Sequence, residues 1–267
     1  MVLKSYSPPR PPKEITDAAY VRRARETFLR KRPGNLEFLL KKRYEWMNEY
    51  ADGRTAVVEL GSGLGLSREF IRNPNLQLTD ITPYPWIDRQ VDAMRLPFDD
   101  ESVDVLICSH LLHHLESPVT FLESLNRVLK PGGCVLIQEL ETSVLMRLLQ
   151  RFMKNEGWSF HVDVFDKHAS CLPPEGEDHW SANTAIPSLL FSSAAAFSGR
   201  VEGFVLERNE LCEGLIFPLS GGLLAKVPTI PLPRPLLELV DLLDRAAISL
   251  LPSLFALGRR VVLRKKI

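Results

Sequence analysis

No two of the four cysteines stand near each other: Cys108, Cys134, Cys171 and Cys212 are scattered along the chain, with no CxxC pair. That spacing excludes a zinc knuckle or a dithiol redox motif, and the four read as reduced core residues. No stretch of about 18 uncharged apolar residues occurs, so no membrane span is expected. The opening "MVLKSYSPPRPPKEI" lacks the apolar run of a signal peptide, which makes the cytoplasm the expected location. An excess of charge of either sign is missing as well. The 33 Lys and Arg balance 33 Asp and Glu, which removes the electrostatic reason to expect nucleic acid as a partner.

The 267 residues, 45% of them hydrophobic, suffice for one sizeable core with additions. The balanced charge is unevenly spread: residues 1–54 hold 13 basic and 7 acidic side chains, and residues 55–141 hold 6 and 13. A basic arm (1–54) thus precedes an acidic central unit, read as a solvated helical arm or as a face for an anionic surface. Residues 5–12, "SYSPPRPP", are extended by composition. Two helical stretches follow, separated at Pro33-Gly34-Asn35, the first with Thr16 or Asp17 as a possible cap.

From residue 55 the pattern alternates between β-branched runs and helical periods. "TAVVEL" (55–60), "LQLTD" (76–80), a very short run near Val91, "SVDVLICS" (102–109) and "CVLIQEL" (134–140) read as strands. "LSREFIR" and "PVTFLESLNRVLK" read as helices, giving a parallel sheet with helices on both faces. After residue 141 come a helix in "ETSVLMRLLQRFMK", an insertion at about 155–190, a possible strand in 200–209, a helix in "PLLELVDLLDRAAISLL" and a terminal strand "RRVVLRK". In that late helix Glu238, Asp241, Asp244 and Arg245 share one face. The leucines opposite are expected to pack on the sheet, with a membrane surface as their alternative use.

The chemistry gathers at "VVELGSGLGLS" (57–67). A dinucleotide fingerprint needs Gly-x-Gly-x-x-Gly, but here Leu66 stands where the third glycine belongs. The loop is instead acid-x-Gly-x-Gly-x-Gly: Glu59 closes the strand, and Gly61, Ser62, Gly63 and Gly65 follow. Glycines allow close backbone approach, while the carboxylate suits a ligand carrying an ammonium group better than a pyrophosphate. Asp80 ends the next strand, about 20 residues on, where an acid can accept from ribose hydroxyls. Asp92 could accept from an adenine amine, with Ala93 and Met94 offering backbone N–H and an apolar face.

Taken in order, "VVELGSGLGLS", "DAMRLPFDDESVDVLICSHLLHHL" and "FLESLNRVLKPGG" resemble the successive motifs of class I S-adenosylmethionine-dependent methyltransferases, specifically the methyltransferase-11 type that includes quinone-biosynthesis methyltransferases. The resemblance covers about residues 55–140. It implies an α/β, Rossmann-like sheet of seven mostly parallel strands with an antiparallel last strand, for which "RRVVLRK" is the candidate. It implies S-adenosyl-L-methionine as cofactor and S-adenosyl-L-homocysteine as product. The methionyl tail would lie over Glu59 to Gly65, the ribose at Asp80, and the adenine between Ile81 and Asp92–Met94. Over its whole length the chain also resembles a bacterial subgroup of these enzymes with a "TDITPYPWID"-like and a "SANTAIPSLLF"-like segment, found among polysaccharide and cell-envelope genes.

The chain departs from that pattern between Asp80 and Val91, where prolines 83 and 85 leave room for a single helical turn at most. Tyr84 or Trp86 is then expected either to cover the adenine or to pack in place of the lost helix. "SHLLHHL" ends the fourth strand, so Ser109 and His110 should border the methyl-bearing end of the cofactor. His110 and His114 share a helix spacing, but no clear third ligand exists and no metal is expected. His113, His114 and Glu139 are the candidate catalytic groups, as bases or as shapers of the pocket, with His161 and His179 further candidates. His179, Trp180 and Asn183, in the insertion, are the candidate substrate-binding residues.

The fourth strand also lacks the Asn/Asp-Pro-Pro-Tyr/Phe signature associated with methylation of exocyclic amines on nucleic-acid bases. The expected reaction is in-line methyl transfer to a small-molecule, saccharide or lipid-linked acceptor, O-methylation ahead of C-methylation. Rival readings are a non-catalytic binding protein of the same fold docking on a partner or membrane, and an NAD-type oxidoreductase.

Overall fold

Each strand of the central unit alternates its side chains between two apolar layers, and that alternation dictates a sheet covered on both faces. The computed structural model describes residues 4–8, 17–154, 156–173, 182–224 and 228–267. Its sheet comprises β1 (Val57–Leu60), β2 (Leu76–Asp80), β3 (Arg89–Gln90), β4 (Val103–Ser109), β5 (Leu129–Leu140), β6 (Phe204–Cys212) and β7 (Gly258–Lys265). Their order is β3-β2-β1-β4-β5-β7-β6. The pairs β1/β2, β1/β4, β2/β3 and β4/β5 are parallel, while β7 runs antiparallel to both β5 and β6. Six strands therefore share one direction and the last opposes them, as the resemblance implies. The order reverses between β1 and β4, which opens a crevice at the carboxyl ends of the strands.

On one face Val58, Leu60, Leu106 and Ile137 meet Phe121, Leu122 and Leu125 of helix α3 (Pro118–Val128). The same cluster takes in Ile186, Leu190 and Phe191 of α5 (Ala185–Phe191), and Phe197 of α6 (Ala194–Arg200). On the other face Val57, Leu78, Val105, Ile107 and Leu136 meet Trp46, Met47 and Ala51 of the N-terminal arm. The arm carries α1 (Ala18–Lys31) and α2 (Gly34–Tyr44). Asp17 caps α1, its carboxylate accepting from the Ala19 N–H at 2.9 Å.

The arm replaces an element expected elsewhere. "LSREFIR" does not form an α-helix; only Leu66–Glu69 makes one 3₁₀ turn. Asn48 of the arm intercepts the chain there, its side chain accepting from Arg72 N at 2.8 Å and donating to Phe70 O at 3.0 Å. Asn73-Pro74 then ends any helical continuation. With no crossover helix between β1 and β2, Trp46, Met47 and Ala51 cover that part of the sheet. Between β2 and β3 there is no helix either, within the expected limit of one turn.

A second correction concerns α7 (Arg234–Leu250), expected to lay its leucines on the sheet. The helix is turned the other way: Leu237, Asp244 and Ile248 are buried, and Leu236, Leu239, Leu242, Leu243 and Leu250 are exposed. Asp244 is held inward because it accepts three backbone N–H groups, from Gly214, Leu215 and Ile216. That satisfies the exposed donors of the short turn at Ile216–Leu219. No helix among the described residues is long and apolar enough to cross a membrane.

Candidate active site

At the crevice the loop after β1 is forced into left-handed conformations that only glycine adopts without strain: φ is +67° at Gly61, +49° at Gly63 and +60° at Gly65. The loop is stitched to β2, with Ser62 N–H donating to Thr79 O at 2.9 Å and Thr79 N–H to Ser62 Oγ at 3.1 Å. Gly63 N–H donates to Asp80 Oδ2 at 2.8 Å, and Thr82 N–H to Asp80 Oδ1 at 2.8 Å. A side chain added at Gly63 would meet nothing within 4 Å among the described residues, so the backbone there faces the open cavity. One added at Gly65 would strike Trp86 at 2.7 Å.

This space belongs to a cavity of ≈570 Å³, within the range that encloses a nucleotide-sized ligand. Gly61, Ser62, Gly63, Asp80 and Ile81 line one side, and Asp92, Ala93 and Met94 line the next. Ser109, His110, His113 and His114 line the end near β4. The turn at Asp92 is pre-formed, its Oδ1 accepting from Met94 N–H at 2.8 Å. The arm closes the cavity with Val21, Leu36, Leu40, Arg43 and Tyr44, so it is a wall of the site.

Glu59, Gly65, Glu139 and Asn183, all sequence candidates, lie outside the lining. Glu59 is buried beneath the loop, where it accepts from the Ser67 hydroxyl. Burial pushes its carboxyl up to about 7, against the hydrogen bonds of Ser67 and Ser62 and with Asp80 adding to the rise. It shapes the loop from below. Gly65 packs on Trp86 and Leu78. Asn183 does not face the cavity: its amide donates to Cys171 O at 2.9 Å and its oxygen accepts from Ser159 N–H at 2.8 Å, tying the insertion together. A fully buried polar side chain must find such partners, and they take the groups a substrate would need. His161 is exposed, and His179 and Trp180 lie outside the described residues.

Trp86 takes the packing role of its two expected alternatives. Its Nε1–H donates to Gly63 O at 2.9 Å, its ring stacks on Tyr84 with centroids 5.1 Å apart, and the Arg25 guanidinium sits 4.9 Å above it. It braces the outside of the glycine loop, while Tyr84 lines the cavity.

At the other end His113 Nδ1 lies 2.6 Å from Glu139 Oε2, with both side chains buried. Its Nε2 faces Glu156 at 3.9 Å. Burial opposes charge on the imidazole, but Glu139 first and Glu156 second overcome it, so its pKa is raised above the ordinary 6.5. Glu156, raised by burial, lines the cavity and was not legible among the many acids of the insertion. With His113 and His114 it brings three ligand atoms within 4.8 Å of one another, a cluster that does not include His110 of the spaced pair His110 and His114. Tyr44 and Arg43 were missed too; Tyr44 OH donates to Ser109 Oγ at 3.4 Å.

His110 is held neutral: burial, then the charges of Arg43 and the neighbouring histidines, keep its pKa well below the usual value. Its backbone is left-handed at φ +54°, a strained state for a non-glycine residue, and its Nε2 has no hydrogen-bond partner among the described residues. An orphaned buried nitrogen, an open glycine cradle and two aspartates at successive strand ends fit a nucleoside with a polar tail. Fold and site together define a Rossmann-like α/β protein with a cavity at the carboxyl ends of its strands.

Comparison with known proteins makes that class specific. Residues 58–137 match the family model described as "Methyltransferase domain". The chain is 28% identical over 173 residues to an uncharacterized methyltransferase of Schizosaccharomyces pombe, a match covering 58% of this chain and 65% of that protein. It is 40% identical over 73 residues to the ubiquinone/menaquinone biosynthesis C-methyltransferase UbiE of Idiomarina loihiensis, covering 27% of this chain and 28% of that one. The crystal structure of a SAM dependent methyltransferase from Archaeoglobus fulgidus shares the fold, with a TM-score of 0.50 at 16% identity over 85% of this chain and 94% of that one. The chain spans less than two thirds of the length of these curated relatives. Over residues 58–137 it matches a methyltransferase domain, and its fold is that of a SAM dependent methyltransferase.

Proposed function

We propose that the protein transfers the methyl group of S-adenosylmethionine to a hydroxyl of a small-molecule, saccharide or lipid-linked acceptor, with His113 receiving the acceptor's proton. S-adenosylmethionine, when bound, supplies a methyl group on a positively charged sulfur. In this reading Gly61 to Gly63 hold its amino-acid tail, Asp80 its ribose, and Ile81 with Asp92 to Met94 its adenine. Ser109 and His110 border the reacting end.

The observation that carries the proposal is the His113–Glu139 contact at 2.6 Å on the cavity wall. With Nδ1–H donating to Glu139, Nε2 is the free acceptor, and the nearby carboxylates stabilise the imidazolium that forms. The remaining work is orientation and exclusion of water, which the arm and the buried wall favour. Carbon methylation is the second reading, because the same base would serve an acidic C–H and one relative is named a C-methyltransferase.

The test is incubation with methyl-labelled S-adenosylmethionine and a panel of quinols, nucleotide sugars and lipid-linked glycans, with the methylated atom located by NMR. A labelled O-methyl product that His113→Gln does not form is expected. Failure to bind S-adenosylhomocysteine in calorimetry on folded protein would overturn the reading at its root.

A further inference from the structure

We propose that the outer faces of α7 and of α4 (Val144–Met153) form a docking surface for an anionic phospholipid bilayer. A surface helix ordinarily buries its leucines. On α7 the buried face holds Asp244, and Asp241 beside it is paired with Lys42 at 2.7 Å. Leu236, Leu239, Leu243 and Leu250 recur at spacings of three, four and seven residues, so they form one stripe opposite Leu237 and Ile248. The stripe is about 21 Å long at 1.5 Å per residue.

It continues onto a second element. The turn at Pro252–Phe255 packs against α4, and α4 presents Leu148 at 60% and Phe152 at 92% exposure. Around them stand Arg147, Arg151 and Lys154, and residues 144–154 contain no acid. Contiguous exposed apolar residues mark an interaction site, and the all-basic rim on α4 matches anionic headgroups over acyl chains, while the exposed Glu238 of α7 is neutralised by Arg234 at 2.9 Å. A second copy is the poorer fit, because a two-fold contact through the whole surface sets the basic cluster of α4 against itself or against leucines.

The surface also borders the cavity. Met153, next to Phe152, lines it, and Phe217, which packs with Leu237 of α7, lines it as well. A bilayer held there would lie beside the wall through which a chain-bearing acceptor would enter. The docking itself does not depend on which atom is methylated.

Flotation of the full-length chain with vesicles tests this, using phosphatidylcholine alone and mixtures with about a third phosphatidylglycerol. Binding to the anionic vesicles, weakened by salt, is expected. Leu239→Ser/Leu243→Ser and Phe152→Ser should each lower partition at least about tenfold. Arg151→Glu/Lys154→Glu should abolish the preference for anionic lipid. Because these side chains are exposed, melting temperature and S-adenosylhomocysteine affinity should not change. Absence of flotation, or flotation indifferent to these substitutions, overturns the proposal. So does a dimer in light scattering that the leucine variant converts to monomer while no vesicle binding is seen, which would assign the surface to a second copy.

Discussion

Glu139 holds His113 from the side away from the cavity: its Oε2 meets Nδ1 at 2.6 Å, while its Oε1 accepts from the Leu112 N–H at 2.6 Å. The carboxylate is thus fixed by the backbone of the turn that carries the histidine. Position and tautomer of the imidazole are set by one residue of the next strand.

Glu139→Gln keeps the shape but not the tautomer. With its oxygen kept on Leu112 N–H, the amide donates to Nδ1, and Nε2 becomes the protonated nitrogen. We expect kcat to fall about 10²-fold or more, with S-adenosylhomocysteine affinity in calorimetry little changed. The wild-type rate should rise with pH through a pKa above 6.5, the direction in which Glu139 moves His113. Removing that carboxylate leaves burial dominant, so any residual rate should show its acid limb at lower pH.

Two glycines of the loop separate binding from folding. Gly63→Ala places a methyl group in open cavity space at φ +49°, so a modest stability loss of about 1 kcal/mol should accompany a large loss of cofactor affinity. Gly65→Ala meets the Trp86 ring at 2.7 Å and should lower the melting temperature much more. Parallel melting curves and S-adenosylhomocysteine titrations of the two variants check the contrast. Equal effects of the two on both readouts would sink it.

The strand ends, the glycine loop and the Asp80 to Met94 half of the site were legible because each rests on a local rule: β-branched runs, positive φ, a carboxylate closing a strand. What was not legible depends on long-range competition. Nothing in "LSREFIR" announces that Asn48 will intercept it, nor does "DLLDRAA" show that three backbone N–H groups will draw Asp244 inward and turn the leucines out. Trp86 is legible only as two alternatives, covering the adenine or packing, and its bond to Gly63 O and stack on Tyr84 realise the packing one. Glu156 is one acid among many until the insertion folds beside His113. Asn183 reads as polar and therefore available, whereas the fold consumes its hydrogen bonds internally.

The arm is tied to the sheet by a buried ion pair. Arg43 of α2 donates from Nε to Glu213 Oε1 at 2.8 Å and from Nη2 to Oε2 at 2.6 Å, and Gln138 adds a hydrogen bond at 3.1 Å. Arg43→Met would leave the Glu213 carboxylate buried and unpaired. The expected cost is about 3–5 kcal/mol, a fall of roughly 10 °C in melting temperature. Arg43→Met with Glu213→Leu should recover most of it, because a buried pair replaced by apolar groups is often neutral. Recovery fails if the pair acts separately in folding, which thermal melts of the single and double variants reveal.

Glu59 gives the ligand-free protein a pH dependence of stability opposite to that of a salt-bridged carboxylate. Burial raises its carboxyl from an ordinary 4.5 to about 7. Below 4.5 it is protonated in folded and unfolded chains alike and has no effect. Between 4.5 and about 7 the folded chain holds a proton that the unfolded chain has released, so stability falls as pH rises. Above that window both states are ionised and the full penalty stands, roughly 3 kcal/mol. Glu59→Gln removes the group that titrates and retains an acceptor for the Ser67 hydroxyl. Urea denaturation without ligand should therefore find the variant about equal to wild type near pH 4.5 and more stable at pH 8. His113, whose pKa is also raised, tilts both proteins the same way, so the difference between them isolates Glu59. Curves that stay parallel across the window would mean the Glu59 carboxylate is already ionised under its loop.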